Sequence, residues 1–303
     1  MKLGSHREVI IVACLWLQAS IAFASEPLVL QSDFGVKDIA VASMKGVAVG
    51  VSRDLDIYDL THEIPTFNIW EASLRLEQAA EYWPKGTVFV SVVDPGVGTA
   101  RKSVVLKTKS GQYFVSPDNG SLTAVAERFG IAAVREIDEA VNRLANSEKS
   151  YTFHGRDVYA YTGARLAAGI ISFEEVGREL PDTVTMISYQ KPEFDGQRIV
   201  GNVEILDPQY GNIWTNIDRD TFQEMELSVG DLISVRISNN GKTVYEQSMP
   251  YFESFGRVEV GDPLLYLNSI NDVALAINQG NFSSEFHVLS GPDWGIEISK
   301  AEQ

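Results

Sequence analysis

A change of texture near residue 181 constrains this chain more than any other feature. Before it, short apolar or β-branched runs alternate with stretches whose apolar residues recur at helical spacing; after it, strand-like runs follow one another with few helical windows. In the first part Pro27–Gln31, Ile57–Leu60, Phe89–Val93 and Ala133–Ile137 read as strands. The stripe Ile69, Ala72, Leu76, Ala79, Ala80 and Trp83 reads as a core helix, followed by helices over Leu122–Phe129 and Arg156–Ala168. Ser103–Lys107 and Gln112–Ser116, joined through Ser110-Gly111, read as a hairpin. This alternation predicts an N-terminal α/β domain over 25–182 with a largely parallel sheet. Val184–Tyr189, Ile199–Leu206, Leu232–Ser238, Thr243–Gln247 and Leu264–Leu267 then predict a smaller C-terminal β-barrel-like domain over 183–303.

The first residues do not belong to either domain. Lys2 and Arg7 precede an apolar run from Val9 to Phe23, and Ala22-Phe23-Ala24 stands before polar Ser25-Glu26, the pattern of a secretory signal (1–24) cleaved after Ala24. The run is shorter than the ~20 apolar residues a spanning helix needs, so no stable membrane anchor is expected after processing, and the protein is expected to be periplasmic or secreted. Cys14 is the single cysteine. Its surroundings do not make a lipoprotein box, and its removal leaves a mature chain without disulfides or thiol chemistry. A net charge of −16, from 25 basic against 41 acidic residues, argues against a nucleic-acid partner. No G-x-G-x-x-G or P-loop appears, and His62 has no second histidine or cysteine near it to make a metal site.

Chemistry is concentrated in the loop after Phe89–Val93, where Asp94-Pro95-Gly96-Val97-Gly98-Thr99-Ala100-Arg101 sets a carboxylate and a guanidinium at the ends of a Gly/Pro-rich turn. Strand ends in open α/β sheets are where ligands gather. Alone, the loop reads as a turn with a surface ion pair. His154, before Gly155 and a helix start, changes that balance, because Asp94, Arg101 and His154 together could orient and deprotonate water. Asp33, after the first strand, suits a ribose diol or a helix cap equally. The stretch from Asp207 to Asn216 combines aromatics with side-chain amides, which suits a flat heteroaromatic base or a turn with core aromatics.

Four separated segments, Ser32-Asp33-Phe34-Gly35, the Asp94–Arg101 loop, Phe153-His154-Gly155-Arg156-Asp157 and Tyr210-Gly211-Asn212-Ile213-Trp214, resemble in order the S-adenosyl-L-methionine hydroxide adenosyltransferase family, hydrolytic relatives of fluorinase and chlorinase. The resemblance implies hydrolysis of S-adenosyl-L-methionine to adenosine and L-methionine, with Asp94, Arg101 and His154 catalytic. It places Asp33, Asp38, Phe67, Asp207, Tyr210, Asn212, Trp214, Ser269 and Asn278 around the substrate, although helix packing explains Phe67 as well. It implies no cofactor, the substrate being S-adenosyl-L-methionine itself, and a homotrimer with sites at subunit interfaces. The short connection after Arg101 resembles the hydrolytic branch, since fluorinases carry an insertion there. Where relatives often show glycine and glutamate after the serine, this chain reads Ser269-Ile270-Asn271-Asp272. Two other readings compete: a halogenase, disfavoured because Asp94 would repel a halide where fluorinases carry tyrosine, and an exported nucleoside-binding protein without turnover.

Overall fold

A computed structural model describes residues 25–301, so the segment expected to be a signal sequence, its expected cleavage after Ala24 and Cys14 lie outside the described residues. The first half builds one seven-stranded sheet. Its elements are β1 (Leu28–Ser32), α1 (Ala40–Val51), β2 (Ile57–Thr61), α2 (Ile69–Ala80), β3 (Val88–Val92), β4 (Ser103–Thr108), β5 (Tyr113–Pro117), α3 (Thr123–Phe129), β6 (Ile131–Glu136), α4 (Tyr161–Ala167) and the two-residue β7 (Glu179–Leu180). The strand order is β2-β1-β3-β5-β4-β6-β7.

This sheet is mixed rather than largely parallel: β2, β1, β3 and β5 run parallel, whereas β5–β4, β4–β6 and β6–β7 are antiparallel. The reason is the tight turn at Ser110-Gly111, because a parallel pair needs a crossover of a dozen or more residues and a hairpin cannot supply one. Period-two alternation separates the two faces. Leu28, Leu30, Val88 and Val90 pack under α1 and α4, while Val29, Phe89 and Phe114 pack against α2 and α3.

The helix expected over Arg156–Ala168 is divided. Gly155–Ala160 forms a wide π-helical turn, and α4 begins only at Tyr161. The small residues of α4 have the purpose their size suggests: a methyl group on Gly163 would sit 2.4 Å from Val90 Cγ2. Gly163→Ala should therefore lower stability by ~1–3 kcal/mol through overpacking, read as a shifted denaturant midpoint. An unchanged midpoint would mean that α4 is free to move off the sheet.

The second half is a sheet of eight strands, β8 (Glu193–Phe194), β9 (Arg198–Leu206), β10 (Ile213–Asp218), β11 (Leu232–Asn239), β12 (Lys242–Pro250), β13 (Pro263–Leu267), β14 (Asp272–Ile277) and β15 (Trp294–Lys300). Neighbouring strands are antiparallel in the order β12-β11-β15-β9-β10-β14-β13, and a bridge between Tyr251 and Leu265 brings the two ends together into a nearly closed barrel. Alternate residues such as Val203, Ile213, Val235, Ile237, Val273, Leu275 and Ile298 fill its interior. Strands β8, β10, β14 and β15 are additions to the sequence reading.

Val184–Tyr189, expected as a strand, pairs with no strand. Its alternating pattern instead serves side-chain acceptors of the first half: Thr185 N–H donates to Asp118 Oδ1 at 2.7 Å and Ile187 N–H to Thr123 Oγ1 at 2.9 Å. The barrel's outer face meets α2 nearby, where Trp70 Nε1 donates to the Glu204 carbonyl at 2.7 Å and Arg75 to that of Leu206 at 2.9 Å. Among the described residues no helix is long and apolar enough to cross a membrane.

Candidate active site

The carboxyl ends of β1, β2 and β3 open onto a cleft of about 260 Å³. Asp33 and Phe34 reach it from the β1 loop, Thr66 and Phe67 from the loop after β2, Asp94 and Val97 from the loop after β3, and Thr152–Gly155 from the approach to the π-helical turn. The β3 loop is held by its own chain. Val97 N–H donates to the Asp94 carbonyl, Thr99 bonds back to Gly96, and Gly98 takes φ +78° close to the Tyr151 carbonyl. Asn119 Nδ2 donates to the Val93 carbonyl at 2.9 Å, tying the root of this loop to the turn after β5.

Asp94 and Arg101 meet as a buried pair, their side chains 5% and 11% exposed. Arg101 Nε reaches both carboxylate oxygens at 3.0 Å, and Nη2 reaches Oδ2. The same Nη2 lies 3.1 Å from His154 Nδ1. A guanidinium can only donate, so Nδ1 is the accepting nitrogen and the imidazole proton sits on Nε2. Burial, helped by the positive charges of Arg101 and Arg143 and opposed mainly by Glu139, pushes His154 below the usual histidine range, which keeps the ring neutral at pH 7. With Nδ1 occupied, His154 is left to act through Nε2–H.

Two residues that the sequence reading passed over stand behind the guanidinium. Arg101 Nη1 donates to Ser103 Oγ at 2.9 Å, Ser103 Oγ lies 3.1 Å from the Tyr159 hydroxyl, and the Tyr159 ring faces the guanidinium at 5.6 Å. Burial pushes the Tyr159 phenol well above its ordinary range, so it remains a neutral hydrogen-bonding group. The signal for Ser103 was its i+2 position, which places it on the same face as Arg101 at the start of a strand. Tyr159 carried no comparable signal, because the π-helical turn sets its direction.

Asp33 divides its carboxylate. Oδ2 accepts the Phe67 N–H at 2.8 Å and helps to hold Phe67 at φ +65°, a backbone region costly for a bulky residue, with its ring exposed at the cleft. Asp38 does not line this cleft; its Oδ1 accepts the Ala40 N–H at the start of α1.

The remaining candidates lie on the barrel half and do not line the cleft. Asp207 Oδ1 closes a turn onto the amides of Gln209 and Tyr210, leaving the Tyr210 ring exposed. Asn212 is buried, and Trp214 stands in register with Ala274 and through it with Tyr266, its indole N–H buried without a partner. Ser269 is exposed on the β13–β14 turn, and Asn278 donates to the Val258 carbonyl at 2.9 Å. The structure thus brings Asp33, Phe67, Asp94 and His154 to one cleft with Arg101 behind it, whereas the barrel candidates lie off that cleft, with Ser269 and Asn278 at opposite ends of β14. Among the described residues no group of three or more His, Cys, Asp or Glu side chains could hold a metal ion.

The model of the SAM hydroxide adenosyltransferase N-terminal domain matches residues 28–177, and that of the C-terminal domain matches residues 201–295. The chain belongs to the SAM hydroxide adenosyltransferase family. It is similar to the (R)-S-adenosyl-L-methionine hydrolase of Methanocaldococcus jannaschii, 38% identical over 69% of this chain and 73% of that one. It is also similar to the fluorinase of an Actinoplanes species, 28% identical over 87% of this chain and 95% of that one. A solved structure of an uncharacterized conserved protein from Thermotoga maritima covers 90% of this chain and all of its own at a TM-score of 0.81 and 37% identity.

In this hydroxide adenosyltransferase the wall of the cleft is closely packed at Gly155. A methyl group on Gly155 would lie 3.1 Å from the Phe34 ring and from Val92 Cγ1, tighter than ordinary contact. The arrangement can therefore hold a small nucleophile against a fixed carboxylate in a confined space.

Proposed function

We propose that this enzyme hydrolyses S-adenosyl-L-methionine to adenosine and L-methionine by direct attack of water at the ribose 5′ carbon. The observation that carries the reading is the buried Asp94–Arg101–His154 network at the cleft. The water oxygen bonds to C5′ as the C–S bond breaks, the bonding pair leaves with sulfur as the neutral thioether of methionine, and the water loses a proton. Asp94 Oδ1 accepts a single bond from Arg101, so it is the oxygen with room for that proton. His154 Nε2–H orients the water, and Arg101 fixes Asp94. The sulfonium is already a good leaving group, so position and electrostatics suffice.

Asp33 Oδ1 holds one ribose hydroxyl, because Oδ2 is engaged by Phe67. Asp207, Tyr210, Asn212, Trp214, Ser269 and Asn278 supply the adenine and methionine contacts from a neighbouring copy in a homotrimer, a reading supported by their lying off the cleft of their own chain. The mature enzyme begins at Ser25 and works outside the cytoplasm.

Incubating mature protein with each sulfonium epimer of S-adenosyl-L-methionine in ¹⁸O-water tests the chemistry. Label in the adenosine 5′ hydroxyl is the expected result. Faster formation of a halogenated adenosine in chloride or fluoride would make the chain a halogenase, and adenosine binding without turnover would make it a binding protein.

A further inference from the structure

We propose that His62 is a positioning residue for the adenosyl reaction, forming with Ser32 and Asp59 a strut that sets the Asp33–Phe34 loop in the cleft. The inference rests on the hydrolytic reading above. Ser32 ends β1 and is fully buried, and His62 follows β2 at 3% exposure. Ser32 Oγ lies 2.7 Å from His62 Nδ1, and His62 Nε2 lies 3.1 Å from Asp59 Oδ1. The other Asp59 oxygen accepts from Lys45 Nζ of α1 at 2.6 Å, out at the surface.

The direction of these bonds follows from their ends. A carboxylate facing Nε2 requires a proton there, so in the neutral ring Nδ1 carries the lone pair and the Ser32 hydroxyl donates to it. The Ser32 oxygen then accepts the Phe34 N–H at 3.3 Å. The His62 carbonyl accepts the Gly35 N–H at 2.7 Å, fixing the same loop from its other side.

A serine, a histidine and an aspartate in sequence suggest acyl transfer, but the hydroxyl has no access. Ser32 is fully buried and does not line the cleft, so no electrophile can reach it. What hangs from the strut does face the ligand. Asp33 sits between the two anchored residues with one oxygen on Phe67, and the Phe34 ring packs against Phe153 at 5.8 Å. Loosening the loop would move the ribose-holding carboxylate and one wall of the cleft together, without touching Asp94, Arg101 or His154.

The test compares wild type with Ser32→Ala, Ser32→Thr and Asp59→Ala by adenosine calorimetry, S-adenosyl-L-methionine kinetics and thermal unfolding. Ser32→Ala should weaken adenosine binding and raise KM about five- to tenfold, with kcat within about twofold of wild type. Ser32→Thr, which keeps the hydroxyl, should restore both. Asp59→Ala sits at the exposed end and keeps the fold, so it should show the same split at about twofold. Variants that lose thermal stability while their adenosine affinity and KM stay at wild-type values would overturn the strut alone. Wild-type protein that binds adenosine but does not turn over would overturn the hydrolytic reading, and the affinities would still decide the strut.

Discussion

Asp94→Asn should reduce turnover of S-adenosyl-L-methionine by ~10²–10⁴-fold, the range of a lost general base, and leave adenosine affinity close to wild type. The amide keeps the shape of the carboxylate and can still accept from Arg101, but it cannot take a proton from water. Asp94→Ala should lose the same activity and also stability. Arg101 would then be buried without its counter-charge, which costs ~3–5 kcal/mol when one partner of a buried pair is removed. Both variants leave Arg101 without its counter-charge, but the amide keeps one acceptor on the guanidinium, so thermal unfolding measured beside the kinetics separates lost chemistry from lost fold. Asp33→Ala should show the opposite kinetic pattern, raising KM more than it lowers kcat, because it removes a ribose contact and the support of Phe67. Near-normal turnover by Asp94→Asn would remove Asp94 from the mechanism.

The second large effect is on stability against pH. Glu77 of α2, Glu204 of β9 and Asp272 of β14 line one cleft at the seam between the two halves. Burial pushes Glu77 up to about 7, opposed by Arg128. Glu204 rises to about 8 through burial, then through the charges of Asp272 and Glu77, with Lys191 opposing. Asp272 rises to about 7 through burial and the charges of Asp218 and Glu77. All three folded values lie above those of an unfolded chain, so the native state holds more protons and this stabilisation is complete only below about pH 4. It is lost as pH climbs through 7 to 8, when like charges gather at the seam. The melting temperature should fall steadily from about pH 5 to 8. Glu204→Gln, which stays neutral, should flatten that fall. A melting temperature that is level or rising over this range would mean that the seam carboxyls are not protonated in the folded protein.

Much of the fold was legible because its signals are local. Leu28-Val29-Leu30 and Val88-Phe89-Val90 are buried on both faces and read as continuous apolar runs, and the stripe from Ile69 to Ala80 has the period of the helix it forms. Strand direction was less legible, since the short turn at Ser110-Gly111 decides it against the alternation around it. Val184–Tyr189 has a strand's pattern, but its partners are side chains of a distant segment, which no local period reveals. In the site, the Asp94–Arg101 spacing was readable, whereas the contact between Arg101 and His154 spans 53 positions and exists only once β3 and the π-helical turn are side by side. The direction of that bond, and so the tautomer of His154, is a property of geometry alone.

The Tyr251–Leu265 bridge has a consequence for solubility at high concentration. A sheet whose end strands meet leaves few free amides and carbonyls for another molecule to pair with, and in the first half one edge is β7, only two residues long. Strand-to-strand templating between copies is thereby confined largely to the five-residue β2 edge, even though neither half depends on a disulfide for its closure.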